Sequence, residues 1–212
     1  MISVTLLILL VTCLLSFVAF NNEQLTHSLI FHPPSVQRNQ EWYRFISSGF
    51  IHADFLHLAF NMYTFYLFGE LVENAFMQIY EKGGIIFFAI LYLTALPAAM
   101  LPSYEKHKQD DYYYSLGASG AVAAVIFCGI VLYPTMKLSI FPIPIGIPAF
   151  IFGPLYLIIS AYLSNKGRGN INHSAHIWGA LYGIVFLIIT CLFFSDFKPV
   201  QNFLQEVLNY FR

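Results

Sequence analysis

Charge is what this sequence has least of. Of its 212 residues, 10 are Lys or Arg and 11 are Asp or Glu, which gives a charged fraction of 10% and a net charge of −1. No Lys/Arg block and no acidic tail interrupts it, so nothing attracts a nucleic acid backbone electrostatically, and nucleic acid is excluded as a partner. Cysteine is scarce as well. Cys13, Cys128 and Cys191 each fall inside an apolar run, where the thiol behaves as a small hydrophobe, and they fix no disulfide framework. There is no His-Glu-x-x-His run to support a metalloprotease and no inverted internal repeat of the transporter kind. No Lys or Arg precedes the first apolar run and no small-x-small cleavage site follows it, so an uncleaved helix is expected there rather than a signal peptide. The missing Arg-rich amphipathic start argues against a mitochondrial transit peptide.

What remains is apolar and aromatic. Hydrophobic residues make up 58% and aromatic residues 18%, and the mean hydropathy is +0.66, far from a soluble domain. The apolar residues are gathered into long runs of the kind that cross bilayers. Six spans are expected, at residues 2–20, 55–76, 85–101, 117–133, 149–163 and 176–194. The class is therefore all-α, a polytopic six-transmembrane-helix bundle over residues 1–198. Pro154 is placed to kink the fifth span, and Pro142, Pro144 and Pro148 mark the connection before it. The long connection 21–53 carries Trp42, Tyr43, Phe45 and Phe50, with Phe55 just beyond, aromatics suited to a membrane interface.

Residues 199–212 form a separate tail, with Val200, Phe203, Leu204, Val207, Leu208 and Phe211 at helical spacing on one face, as in a helix lying on a membrane surface. Arg38, Arg44, Lys106, Lys108, Lys166 and Arg168 fall in loops on one side, against Lys82, Lys137, Lys198 and Arg212 on the other, so the positive-inside count does not set the orientation.

Polar residues inside apolar spans are costly and point to function. His57 and Asn61, four residues apart, share one helix face and offer converging donors; they suit an oxyanion, or interhelical hydrogen bonding. Ser119 stands between Gly117 and Gly120 at a helix start, where free N–H groups and the helix dipole favour developing negative charge. His176 is followed by Gly179 and Gly183, which clear one stripe for a neighbouring helix. Singly each feature also suits ordinary packing. Jointly they supply nucleophile, base and oxyanion hole, as a Ser-His dyad, since no carboxylate lies near His176 in sequence.

At these residues the chain resembles the rhomboid family of intramembrane serine proteases. The serine motif is Gly117-Ala118-Ser119-Gly120, the histidine motif Ala175-His176 with Gly179 and Gly183, and the His-x-x-x-Asn motif His57 and Asn61. Tyr43-Arg44 stands at the family's aromatic-Arg pair, and Gly69 with Glu73 at its Gly-x-x-x-Glu; both are expected to be structural. The resemblance implies a six-helix core with a water-filled cavity, an embedded first-loop hairpin and a mobile fifth helix that admits substrate. It further implies catalysis by Ser119 and His176, an oxyanion hole from the Ser119 N–H, His57 and Asn61, support from Arg44, Glu73, Gly117, Gly120, Gly179 and Gly183, and no metal or cofactor. Some members carry a tyrosine one turn after the serine, packed on the base. Here that position is Ala123, which leaves Tyr182 or another aromatic to hold His176.

The expected partners are membrane proteins with a transmembrane segment and the bilayer itself, in a cell membrane, plasma or inner. Two other readings stay open: a catalytically inactive relative that binds membrane clients, and a transporter or metal site built from His52, His57, Glu73 and His176.

Overall fold

The computed structural model describes residues 3–140, 143–166 and 172–212. Ile2, Pro142 and Arg168, and most of the polar loop before the last long helix, lie outside the described residues. Each apolar run forms a helix. The first is α1 (Val4–Phe20), capped at its start by Ser3. The connection after it folds into α2 (Glu23–Leu29), α3 (Pro33–Asn39) and α4 (Arg44–Ser47). Then come α5 (Phe55–Tyr80), α6 (Gly84–His107), α7 (Ser119–Leu132), α8 (Ala149–Lys166), α9 (His173–Phe194) and the terminal α10 (Pro199–Tyr210).

The all-α expectation needs one correction. Between α7 and α8 the chain makes an antiparallel hairpin of β1 (Lys137–Ile140) and β2 (Ile143–Pro148). Pro144 and Pro148, expected to mark the connection before the fifth span, stand in β2 of this two-stranded ribbon, whose edge tolerates residues without an N–H.

The core forms where α5, α6, α7 and α9 meet. Phe65, Phe76, Phe88, Leu91, Tyr92, Val125 and Leu187 are fully buried there. α7 is at the centre, with nearly every residue from Gly120 to Leu132 buried. α8 sits to one side on a smaller cluster of Phe127, Ile130, Ala149 and Ala180. The outward faces are apolar too: Leu14, Ile158, Leu192 and Phe193 are all more than half exposed. A contiguous apolar exterior around an apolar core needs a lipid or protein covering.

α1 runs antiparallel to α5. Glu73, deep in α5, accepts hydrogen bonds from Ser3 Oγ, the Val4 and Thr5 N–H groups and Thr5 Oγ1, at 2.6 to 2.9 Å. Its carboxylate thus satisfies N–H groups that the first turn of α1 leaves without partners, at the positive end of the helix. Gly69, one turn earlier, lets Thr5 pack directly on the α5 backbone: a Cβ there would fall 2.7 Å from Thr5 Cγ2.

Arg44 is buried and organises the connection between α1 and α5, donating to the His27 and Ile30 carbonyls at 2.8 and 2.7 Å and pairing with Glu41. Of the connection's aromatics, Trp42 and Tyr43 stay exposed as an interfacial position requires. Phe45 departs from that expectation, buried against Phe31 and Tyr104.

Candidate functional site

One end of the bundle collects the polar residues singled out above. The starts of α5, α7 and α9 meet there, together with the end of α6. The loop entering α7 is stitched down residue by residue. Phe31 and Ser115 exchange both backbone hydrogen bonds at 3.0 Å, and the Gly117 N–H donates to the Ser48 carbonyl at 2.9 Å. The Ala118 N–H donates to His52 Nε2 at 3.3 Å. Gly117 turns the chain with φ of +112°, a conformation that L side chains rarely adopt. Any Cβ at Gly117 would also fall 3.0 Å from His57 Nε2.

Ser119 is the first residue of α7. Its N-cap, Ala118, offers no side-chain acceptor, so the N–H groups of the first turn stay free for a ligand. The side chain is half-buried.

His176 is in the first turn of α9. That turn is fixed by Asn172, whose Oδ1 accepts from the Ala175 N–H at 3.1 Å while Nδ2 donates to Tyr113 Oη at 3.0 Å and Ser103 Oγ at 3.1 Å. The glycine stripe behaves as expected. A Cβ at Gly179 would lie 2.0 Å from the Gly120 carbonyl oxygen, and one at Gly183 2.2 Å from that of Ala124. The backbones of α7 and α9 therefore touch beside Ser119, and Ala175 lines the same small cavity as Ser119 and Gly120. No hydrogen bond joins Ser119 Oγ to His176 among the described residues.

His57 and Asn61 share one face of α5, as their spacing requires. His57 Nδ1 accepts from the Ala53 N–H at 3.5 Å, which assigns the ring proton to Nε2, the atom facing Gly117. Asn61 Nδ2 donates to the His57 carbonyl at 3.0 Å, one turn below, and its second N–H remains available.

Three supporting residues were not assigned these roles from sequence. His52 is buried, with Nδ1 3.1 Å from Ser16 Oγ and Nε2 on the Ala118 N–H. Burial, reinforced by the nearby His57, lowers its pKa to about 3, so it is neutral and has a lone pair to accept with. Asn172 was legible as a helix cap only once the start of α9 was known. The third is Tyr156 on α8, whose ring lies nearly parallel to the His176 imidazole, with centroids 6.2 Å apart and an interplanar angle of 20°. Of the two options left open for that place, Tyr182 or another aromatic, Tyr182 donates instead to Thr94 on α6 at 2.6 Å. Glu73 stands 16 residues beyond His57 along α5, roughly 24 Å away, and is engaged with α1. A metal site combining it with the three histidines is not assembled.

The rhomboid domain family model matches residues 39–193. The chain belongs to the rhomboid family. The matched rhomboid region runs from just before α4 almost to the end of α9 and contains Arg44, His57, Asn61, Glu73, Ser119 and His176; α1 and α10 fall outside it. Among curated rhomboid relatives, the chain is 34% identical over 148 residues to RHOMBOID-like protein 12, mitochondrial, of Arabidopsis thaliana, covering 64% of this chain and 42% of that protein. It is 31% identical over 147 residues to the human presenilin-associated rhomboid-like protein, mitochondrial, covering 65% and 35%. It is 29% identical over 151 residues to Rhomboid-like protein 11, chloroplastic, of Arabidopsis thaliana, covering 68% and 51%. The match thus spans about a third to a half of those relatives' lengths. Their names are organellar and do not support the expected plasma or inner cell membrane. Family and helices together make this a membrane protein.

Proposed function

We propose that the chain is an intramembrane serine endopeptidase that cleaves transmembrane segments of membrane proteins through Ser119 and His176. The observation that carries this reading is the contact of α7 with α9 at Gly120 and Gly179, which brings the half-buried Ser119 at a helix start beside the turn holding His176. Six helices, α1 and α5 to α9, would cross the bilayer. α6 and α9 have 24 and 22 residues, enough at 1.5 Å per residue for a hydrocarbon core of about 30 Å. α7 has 14, about 21 Å, and would leave Ser119 recessed below the membrane surface.

In this mechanism His176 takes the proton from Ser119 Oγ as the oxygen attacks a substrate peptide carbonyl. The tetrahedral oxyanion is met by the Ser119 N–H, His57 Nε2–H and the free N–H of Asn61. Collapse breaks the C–N bond, His176 returns the proton to the leaving amine, and water hydrolyses the acyl-enzyme. The tail 199–212 would lie at the membrane surface.

A second reading, a binding protein for membrane clients, draws on the missing hydrogen bond between Ser119 and His176. Cleavage of a single-span reporter in liposomes by the wild type, Ser119→Ala and His176→Ala, with a chelator control, separates the two. Cleavage by the wild type alone, undiminished by chelator, supports the dyad. An intact wild type that captures but never cuts such reporters supports the binding protein.

A further inference from the structure

An imidazole that serves as base must be held with one nitrogen aimed at the nucleophile, and His176 has no side-chain hydrogen bond to hold it among the described residues. Its ring is bracketed by two others. His173, one turn earlier on the same helix, meets it edge-on, with centroids 5.8 Å apart and planes at 79°. Tyr156 lies alongside with its plane nearly parallel. Ala123, one turn after Ser119, carries only a methyl and brings no ring to the imidazole from α7.

Tyr156 comes from a helix that is differently anchored from the rest. α8 packs chiefly on α9, on α7 and on the hairpin. Its cluster is separate from the main core, and Ile151, Leu155, Ile158, Ile159 and Tyr162 are exposed along it. Its first turn is pinned, because Phe150 meets Tyr210 and Phe211 of the tail at 5.5 and 5.8 Å. Tyr156, nearly two turns above that anchor, rests on Phe127 and Phe152 at 5.8 and 6.1 Å.

Resting on the dyad reading above, we infer that Tyr156 is a positioning residue for His176, so that the orientation of the base depends on the seating of α8. With α8 seated, the ring restricts rotation of the imidazole. Displacement of α8 away from α9 withdraws the ring and leaves His176 free to turn. Offset aromatic pairs at this separation contribute modestly, so the expected effect on rate is about 3- to 10-fold rather than the near-complete loss that follows removal of the base.

The test uses the full chain in detergent or liposomes, with Tyr156→Leu, Tyr156→Phe and the His176→Ala control. Tyr156→Leu should lower kcat about 3- to 10-fold with KM within about twofold, and Tyr156→Phe should restore kcat to within about twofold of wild type. In protein carrying labelled histidine, the His176 ring resonances, identified by their loss in His176→Ala, should move in Tyr156→Leu and stay near wild type in Tyr156→Phe. Unchanged kcat and unchanged resonances in Tyr156→Leu overturn the inference. So does a Tyr156→Phe variant as slow as Tyr156→Leu, which would make the hydroxyl rather than the ring responsible. If leucine prevents folding, Tyr156→Met replaces it and is judged by the same outcomes. Cleavage that survives His176→Ala would instead defeat the dyad reading, a failure separable from this one because the resonance shift is read without turnover.

Discussion

Ser119 owes its setting to neighbours that hold the backbone just before it rather than its oxygen. His52 holds the Ala118 N–H and Ser48 holds the Gly117 N–H, so the residue is presented by a loop with little freedom to relax. His52 does this only while neutral. Its pKa is lowered from the usual 6.5 to about 3, so between those values the unfolded chain binds a proton that the folded chain does not. Stability conferred by the neutral ring should therefore fall as pH drops from about 6.5 toward 3. Thermal melts at about pH 7 and pH 4 should show a smaller loss for His52→Gln than for wild type; equal losses would remove His52 from this role. Asn61→Ala is expected to lower kcat by up to about 100-fold, because two other donors remain, and a variant at the wild-type rate would take Asn61 out of the oxyanion hole. Ser119, His176, His57 and Asn61 were legible as candidates because polar groups in apolar spans are few. Tyr156 was not, since an aromatic in an apolar helix carries no local mark and only tertiary packing aims it at His176.

At the scale of elements, hydropathy located every long helix but not every end. α6 was expected to stop near Leu101 and instead continues through Pro102 to His107. Its last turns have partners: Ser103 bonds to Asn172, and Tyr104 packs on Phe45 and Trp42. Tertiary contacts of that kind override a polar sequence that opens on a proline. Glu73 shows the same limit. Its position was legible, but that it caps α1 required knowing that α1 runs antiparallel to α5. Glu73→Ala should destabilise the fold by about 1–3 kcal/mol, read as a lower melting temperature in detergent, and an unchanged melt would contradict the cap. Deleting residues 199–212 removes Tyr210 and Phe211 from Phe150. Hydrogen exchange should then rise at the start of α8 while α5 and α6 stay protected; unchanged exchange would show that the tail does not anchor α8.

Over the whole molecule the apolar exterior and the family match across residues 39–193 agree on a membrane protein, and the candidate site residues gather at one end of it. The site end is also where the connection between α1 and α5 folds back: Arg44 ties that connection together through the His27 and Ile30 carbonyls, while Ser115, Leu116 and Gly117 of the loop before α7 line the same small cavity as Ser119. The most direct measurement of the central claim is mass-spectrometric mapping of a fluorophosphonate adduct on the intact, detergent-solubilised chain. The account predicts one adduct on Ser119, absent in Ser119→Ala and strongly diminished in His176→Ala. An adduct on another residue, or labelling of Ser119 undiminished by His176→Ala, would contradict it.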